Sequence, residues 1–129
     1  QFPGFHTVAQ GKVVLAFGPP SLRDAMLSQP LAASTPKTIT DPDRLRAEIQ
    51  LVHQRGWAEA PEEIFTGINA LAAPIFQADG SLFGALAIVA SIHYLPARAH
   101  PDTVRELMQA AAAISAVLGA GQAGTAGPG

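Results

Sequence analysis

Residues 68–91 read INALAAPIFQADGSLFGALAIVAS, two apolar runs on either side of Ala78-Asp79-Gly80. An Asp-Gly pair between such runs signals a β-hairpin, because glycine adopts the positive φ that a tight reversal needs. Neither run alternates polar with apolar. Both faces of the hairpin are apolar, so it is expected in a sheet covered on both sides, by a helix layer on one face and by something else on the other. Pro74 cannot donate to a ladder, so the first strand needs an edge or a bulge there. Many hairpin side chains are small: Ala70, Ala72, Ala73, Ala85, Ala87 and Ala90. Either helices pack very close to this surface or it floors a cavity.

Upstream, GWAEA at 56–60 reads as a short strand, followed by Pro61-Glu62-Glu63 and Gly67 in a connection. The helix before it is well signed. Asp41 is a good N-cap, Pro42 fits the first helical position, Leu45, Ile49 and Val52 form an apolar stripe, and Gly56 is a stop. Residues 6–17 fit one helix, with Val8, Ala9, Val13, Leu15 and Ala16 apolar, which Gly18-Pro19-Pro20 ends. Ser21 can cap a short helix near 22–27, and SQPLAASTPKTIT after it reads as a loop. Downstream, Pro101 can start a long helix carrying Val104, Leu107, Met108, Ala111, Ile114 and Leu118 on one face, ended by Gly119. Residues 1–119 thus form the domain and 120–129 a flexible tail. The order helix, helix, helix, strand, strand, strand, helix predicts an α+β fold with an antiparallel sheet and helices packed on it.

With 129 residues, 48% hydrophobic and 14% charged, the chain fits one domain with a real core. A net charge of −2, with eight Lys and Arg thinly spread, offers no basic stripe for a phosphate backbone. There is no Cys, which excludes disulfides, thiolate metal sites and Cys nucleophiles. The longest apolar run, 84–90, is strand-sized and far short of a membrane span. A soluble, cytoplasmic protein is expected. The chain begins at Gln1, and QFPGFH lacks the flank and length of a signal peptide, so it reads as a piece of a longer protein.

Gly11-Lys12 at the start of an apolar run invites comparison with a phosphate-binding loop. Six residues separate it from Gly4 where four are required, and Val13 stands where Ser or Thr should reach magnesium. The plainer expectation is a glycine allowing close packing and a lysine snorkelling to the outside of the helix. Glu62 and Glu63 are adjacent and should point to opposite faces, which favours structural or solvated roles over an acid/base pair. His6, His53, His93 and His100 show no metal-ligand spacing, so no metal and no cofactor is expected, although His6 and His93 could meet in space. No Ser lies in a nucleophile elbow. Trp57 is expected in the core.

The run from Gly56 to Gln77, GWAEAPEEIFTGINALAAPIFQ, resembles the signature of the IclR family of bacterial transcription regulators: Arg55-Gly56 ending a helix, the acid pair with Glu63, Gly67, and Ala70-Leu71-Ala72 leading to Ile75-Phe76. HTVAQGKVVLAF resembles the family's His-x-x-x-x-Gly-Lys helix, TPKTITDPDRLRAEI its Thr-rich lead into the next helix, and DGSLFGALAIVAS its last strand. The resemblance implies a GAF-like or profilin-like effector-binding domain that senses a small molecule and oligomerises as a homodimer or homotetramer. It implies that DNA is bound only through a winged helix-turn-helix absent from this chain, and that the domain's first strands are absent too.

By the same resemblance the effector contacts are Ala9, Gln10, Ala60, Ile68, Ala70, Ala87 and Val89, with His6 and His93 as candidate polar contacts. The family usually has Asp or Ser at the place of Ala60, often hydroxyls at Ala87 and Val89, and an acid or Asn at Gln77. A pocket without those donors would leave a buried carboxylate poorly solvated, so an apolar or aromatic effector is expected. The alternatives are a structural dimerisation module without an effector, and a small-molecule enzyme using His6, Glu63 or His93.

Overall fold

The computed structural model describes residues 5–125, in the order of a 3-10 turn Phe5–Thr7, α1 Ala9–Phe17, α2 Pro20–Leu27, α3 Pro42–Arg55, β1 Ala58–Glu59, β2 Ile68–Phe76, β3 Leu82–Ser91 and α4 Pro101–Thr125. The three strands form one antiparallel sheet in the order β1-β2-β3. The fold is α+β, as the pattern of elements predicts.

The hairpin forms around Gly80, whose φ is +86°, and the Gln77 and Ser81 backbones close the loop. Successive residues of β2 point to opposite faces, and each face has its own core. Ala70 and Ala72 join Ala9, Val13, Leu45, Ile49 and Val52. Leu71, Ala73 and Ile75 join Leu95, Val104, Leu107 and Ala111. The unspecified cover on the second face is therefore α4. The small side chains let α1 lie against the sheet, with Ala70 and Ala72 buried beneath it.

Pro74 sits in the central strand, opposite Ala85, and both expected accommodations are present. A register shift falls between Ile75 and Phe76, and β1 pairs only with Leu71 and Ala72. The carbonyls of Ile68 and Ala70 accept from Glu62 and Ala60, so residues of that parity, Pro74 included, turn toward the side of β1. The missing N–H faces a side where the neighbouring strand has already ended. The next amide there, that of Phe76, donates to Ser115 Oγ at 2.9 Å, so a hydroxyl on α4 replaces a strand.

The caps of α3 are as expected: Asp41 accepts from the Asp43 amide, Pro42 is the first helical residue, and Gly56 is left-handed with φ +87°. Three expectations need correction. Residues 6–17 do not form one helix, because Val8 is extended and separates the 3-10 turn from α1. Ser21 does not cap α2; Pro19 holds that position and Pro20, with its preset φ, starts the helix. Gly119 does not end α4, which runs on to Thr125. A glycine in mid-helix costs only about 1 kcal/mol against alanine, which the alanine-rich run around it tolerates. Residues 126–129 of the expected tail lie outside the described residues.

Candidate functional site

The sheet brings the expected effector contacts onto one face. Ala70 is paired with Val89 and Ala72 with Ala87, so Ile68, Ala70, Ala87 and Val89 share the face that carries α1. Ala9 and Gln10 form the first turn of α1, and Ala60 follows β1 in the same core. Ala9, Ala60 and Ala70 are buried, whereas Gln10 is exposed and Val89 is 62% exposed. The cap residue Val8 offers no side-chain acceptor to α1, and its first turn holds no acid. The first-turn amides of α1 thus receive no side-chain cap from Val8. None of the four described clefts is lined by any of these seven residues.

His6 and His93 part company. His6 is buried in the turn before α1, and its Nε2 lies 2.7 Å from the Ala32 carbonyl, so Nε2 carries a proton. Its Nδ1 is buried without a hydrogen-bond partner among the described residues. His93 is exposed on the turn after β3. Trp57 is half-buried, with the Arg55 guanidinium 3.7 Å above its ring.

The largest departure from expectation is Lys12. It does not snorkel outside the helix; it is 0% exposed. Nζ donates to Glu63 Oε2 at 2.9 Å, to Glu48 Oε2 at 3.1 Å and to the Glu59 carbonyl at 2.8 Å. Residues on almost every side of α1 are buried, so a lysine stem has no route to water from it. Glu63 is 5% exposed, and burial pushes its carboxyl above the ordinary range while Lys12 pulls it back. Burial raises Glu59 in the same way, against the Arg55 charge 3.9 Å away.

Glu62 faces elsewhere, as adjacent side chains should, and pairs with Lys37 and the Gly67 amide, which lower its pKa. It holds a left-handed φ of +56°, and Thr35 and Thr38 donate to the Glu62 and Glu63 carbonyls. The Thr-rich loop is thereby tied to the acid pair. No spacing rule announces this charge centre. The signal available in the sequence was a lysine inside a nine-residue helix that is otherwise almost wholly apolar.

Among the described residues no group of three or more His, Asp or Glu has the geometry to hold a metal, and no helix is long and apolar enough to cross a membrane.

Residues 2–116 match the family model described as bacterial transcriptional regulator IclR C-terminal. The chain is 33% identical over 119 residues to a glycerol operon regulatory protein of Streptomyces griseus, covering 91% of this chain and 46% of that protein. It superposes on an IclR homolog of Microbacterium hydrocarbonoxydans solved with 4-hydroxybenzoate, with TM-score 0.80 and 32% identity, covering 90% of this chain and 46% of the other. Against the Thermotoga maritima IclR structure the TM-score is 0.79 and the identity 30%, over 89% of this chain and 47% of that one. The chain thus spans about half the length of the relatives it matches.

Proposed function

The chain belongs to the family of bacterial IclR transcriptional regulator C-terminal domains, and on that premise we propose that it is the ligand-sensing and oligomerising domain of such a regulator. It acts without catalysis, in the cytoplasm, as a homodimer or homotetramer. The DNA-binding head and the first strands of the sheet are assigned to the half of the full-length relatives that this chain does not span.

The observation that carries the reading is the pairing that sets Ile68, Ala70, Ala87 and Val89 on the face of α1 and beside its uncapped first turn. An apolar or aromatic ring would lie on the alanine and valine surface, while its polar group meets the first-turn amides and Gln10. Support comes from the Microbacterium hydrocarbonoxydans homolog, which was solved in complex with an aromatic acid, 4-hydroxybenzoate. A bound effector would shift the balance between subunit arrangements by its differential affinity for them.

The test is a thermal-shift panel of aromatic and aliphatic acids on the full-length regulator. An aromatic acid is expected to raise Tm by mass action, and Val89→Asp to abolish that rise while leaving the unliganded Tm in place. Val89 is exposed, so its replacement does not open the core. If no acid raises Tm, the domain is a structural dimerisation module. That second reading draws on β3, where Phe83, Ile88 and Val89 are exposed beside an edge that no further strand covers among the described residues.

A further inference from the structure

A cleft of about 430 Å³ lies beside the buried lysine, between the loop carrying Lys37 and Thr38, the start of α3 with Arg44, and Glu48, Glu59 and Glu63. Its charges are separated by depth. Glu63 is 5% exposed and its Oε2 accepts from Lys12, but its Oε1 is buried with no hydrogen-bond partner among the described residues. Glu59 Oε1 also lacks a hydrogen bond among the described residues, although the Arg55 guanidinium stands 3.9 Å from its other oxygen. Lys12 can supply neither, because its three protons go to Glu48, the Glu59 carbonyl and Glu63. At the opposite end Arg44 is exposed and makes no ion pair among the described residues, while Lys37 is held by Glu62.

These unmet demands define a guest. Buried carboxylate oxygens without donors are costly, and the strongest donor to satisfy them is an ammonium group. A free guanidinium at the mouth asks for a carboxylate. Glu48, Glu59, Glu62 and Glu63 are matched in number by Lys12, Lys37 and Arg55, which pair with them, and by the unpaired Arg44, so a guest with net charge would leave an excess behind. We propose that this cleft binds a small zwitterion of the amino-acid or ω-amino-acid class, its ammonium pairing with the Glu59 and Glu63 carboxyl groups that line the cleft and its carboxylate lying on Arg44. The site is separate from the effector surface and does not depend on that assignment. The two are linked through α1, because Lys12, which holds the cleft residues Glu48 and Glu63 from behind, is two residues beyond Gln10.

The experiment is a thermal-shift titration of the full-length regulator with glycine, β-alanine, 4-aminobutanoate and 6-aminohexanoate, with ethylammonium and acetate as separate halves. At least one zwitterion is expected to raise Tm where neither half does at the same concentration. Arg44→Gln should weaken that response about tenfold, because it removes one charged hydrogen-bonding partner, and should leave the unliganded Tm unchanged. Glu63→Gln should also remove it; if that variant does not fold, Glu59→Gln serves in its place. Three results would overturn the proposal: no zwitterion acts, ethylammonium or acetate alone acts as strongly, or Arg44→Gln keeps the full response. Aromatic acids, which report on the other surface, should act equally on Arg44→Gln and on the unaltered protein, so loss of one activity is distinguishable from loss of the other.

Discussion

Replacing Lys12 by Met tests the charge centre most directly. Met keeps most of the buried stem and removes only the ammonium, so little of the effect can come from packing. The loss is that of three hydrogen bonds, two of them to carboxylates. Glu63, 5% exposed, is left without a cation. Breaking a buried pair from one side costs about 3–5 kcal/mol, because the remaining charge is uncompensated. For a domain of this size that corresponds to a fall in Tm of about 10–20 °C. The deficit must also depend on pH. Lys12 is the neighbour that pulls Glu63 down against burial, so without it the folded carboxyl rises further. A raised carboxyl contributes stability that is present below its unfolded value and is lost as pH rises through its folded value. The deficit of Lys12→Met should therefore be largest near pH 8 and shrink toward about pH 5 as Glu63 takes a proton. Adding Glu63→Gln should recover most of the loss, since Glu48 and Glu59 keep 20% and 23% of their side-chain surface in water. Urea denaturation at the two pH values reads all of this. A deficit below about 1 kcal/mol, the level of an exposed ion pair, or one equal at both pH values, would refute a buried lysine.

Ser115→Ala removes the acceptor of the Phe76 amide at the strand irregularity and should cost about 1–3 kcal/mol, whereas Ser115→Thr, which keeps the hydroxyl, should cost less; the urea midpoint reports both. Gly56→Ala places a Cβ at φ +87° and 3.0 Å from the Met108 methyl, so it should cost about 1–2 kcal/mol, and an unchanged midpoint would contradict the left-handed stop. The unaltered protein should gain stability relative to Glu63→Gln as pH is lowered from about 8 to the ordinary carboxylate range, because burial makes the folded state bind that proton first. An opposite slope would mean that the Lys12 attraction outweighs desolvation.

What was legible in the sequence was local. Asp41, Pro42 and Gly56 act within one turn of α3, and Asp79-Gly80 within one hairpin loop, so residue type and spacing sufficed for both. Pro74 was legible as a constraint, though not its solution, because Ser115 lies 39 residues from Phe76. The same distance argument explains the error over Lys12, whose partners Glu48, Glu59 and Glu63 are 36, 47 and 51 residues away. A lysine is read as exposed by default, and nothing within a few residues could reverse that default. The end of α4 was misread for the opposite reason: glycine carries a strong local signal, and the helix overrode it. The likeness to a regulator family rested on the Gly-Lys helix and on the acid pair as if they were independent marks. In the folded chain Lys12 and Glu63 are the two ends of one buried ion pair at 2.9 Å. That bond fixes α1 against the connection between β1 and β2, and so sets where the first turn of α1 stands over the paired surface of Ala70, Ala87 and Val89. On the proposed effector site, a change at Glu63 should therefore alter the ligand response that Gln10 contributes without either residue touching the other, which a double-mutant cycle on the two positions would measure.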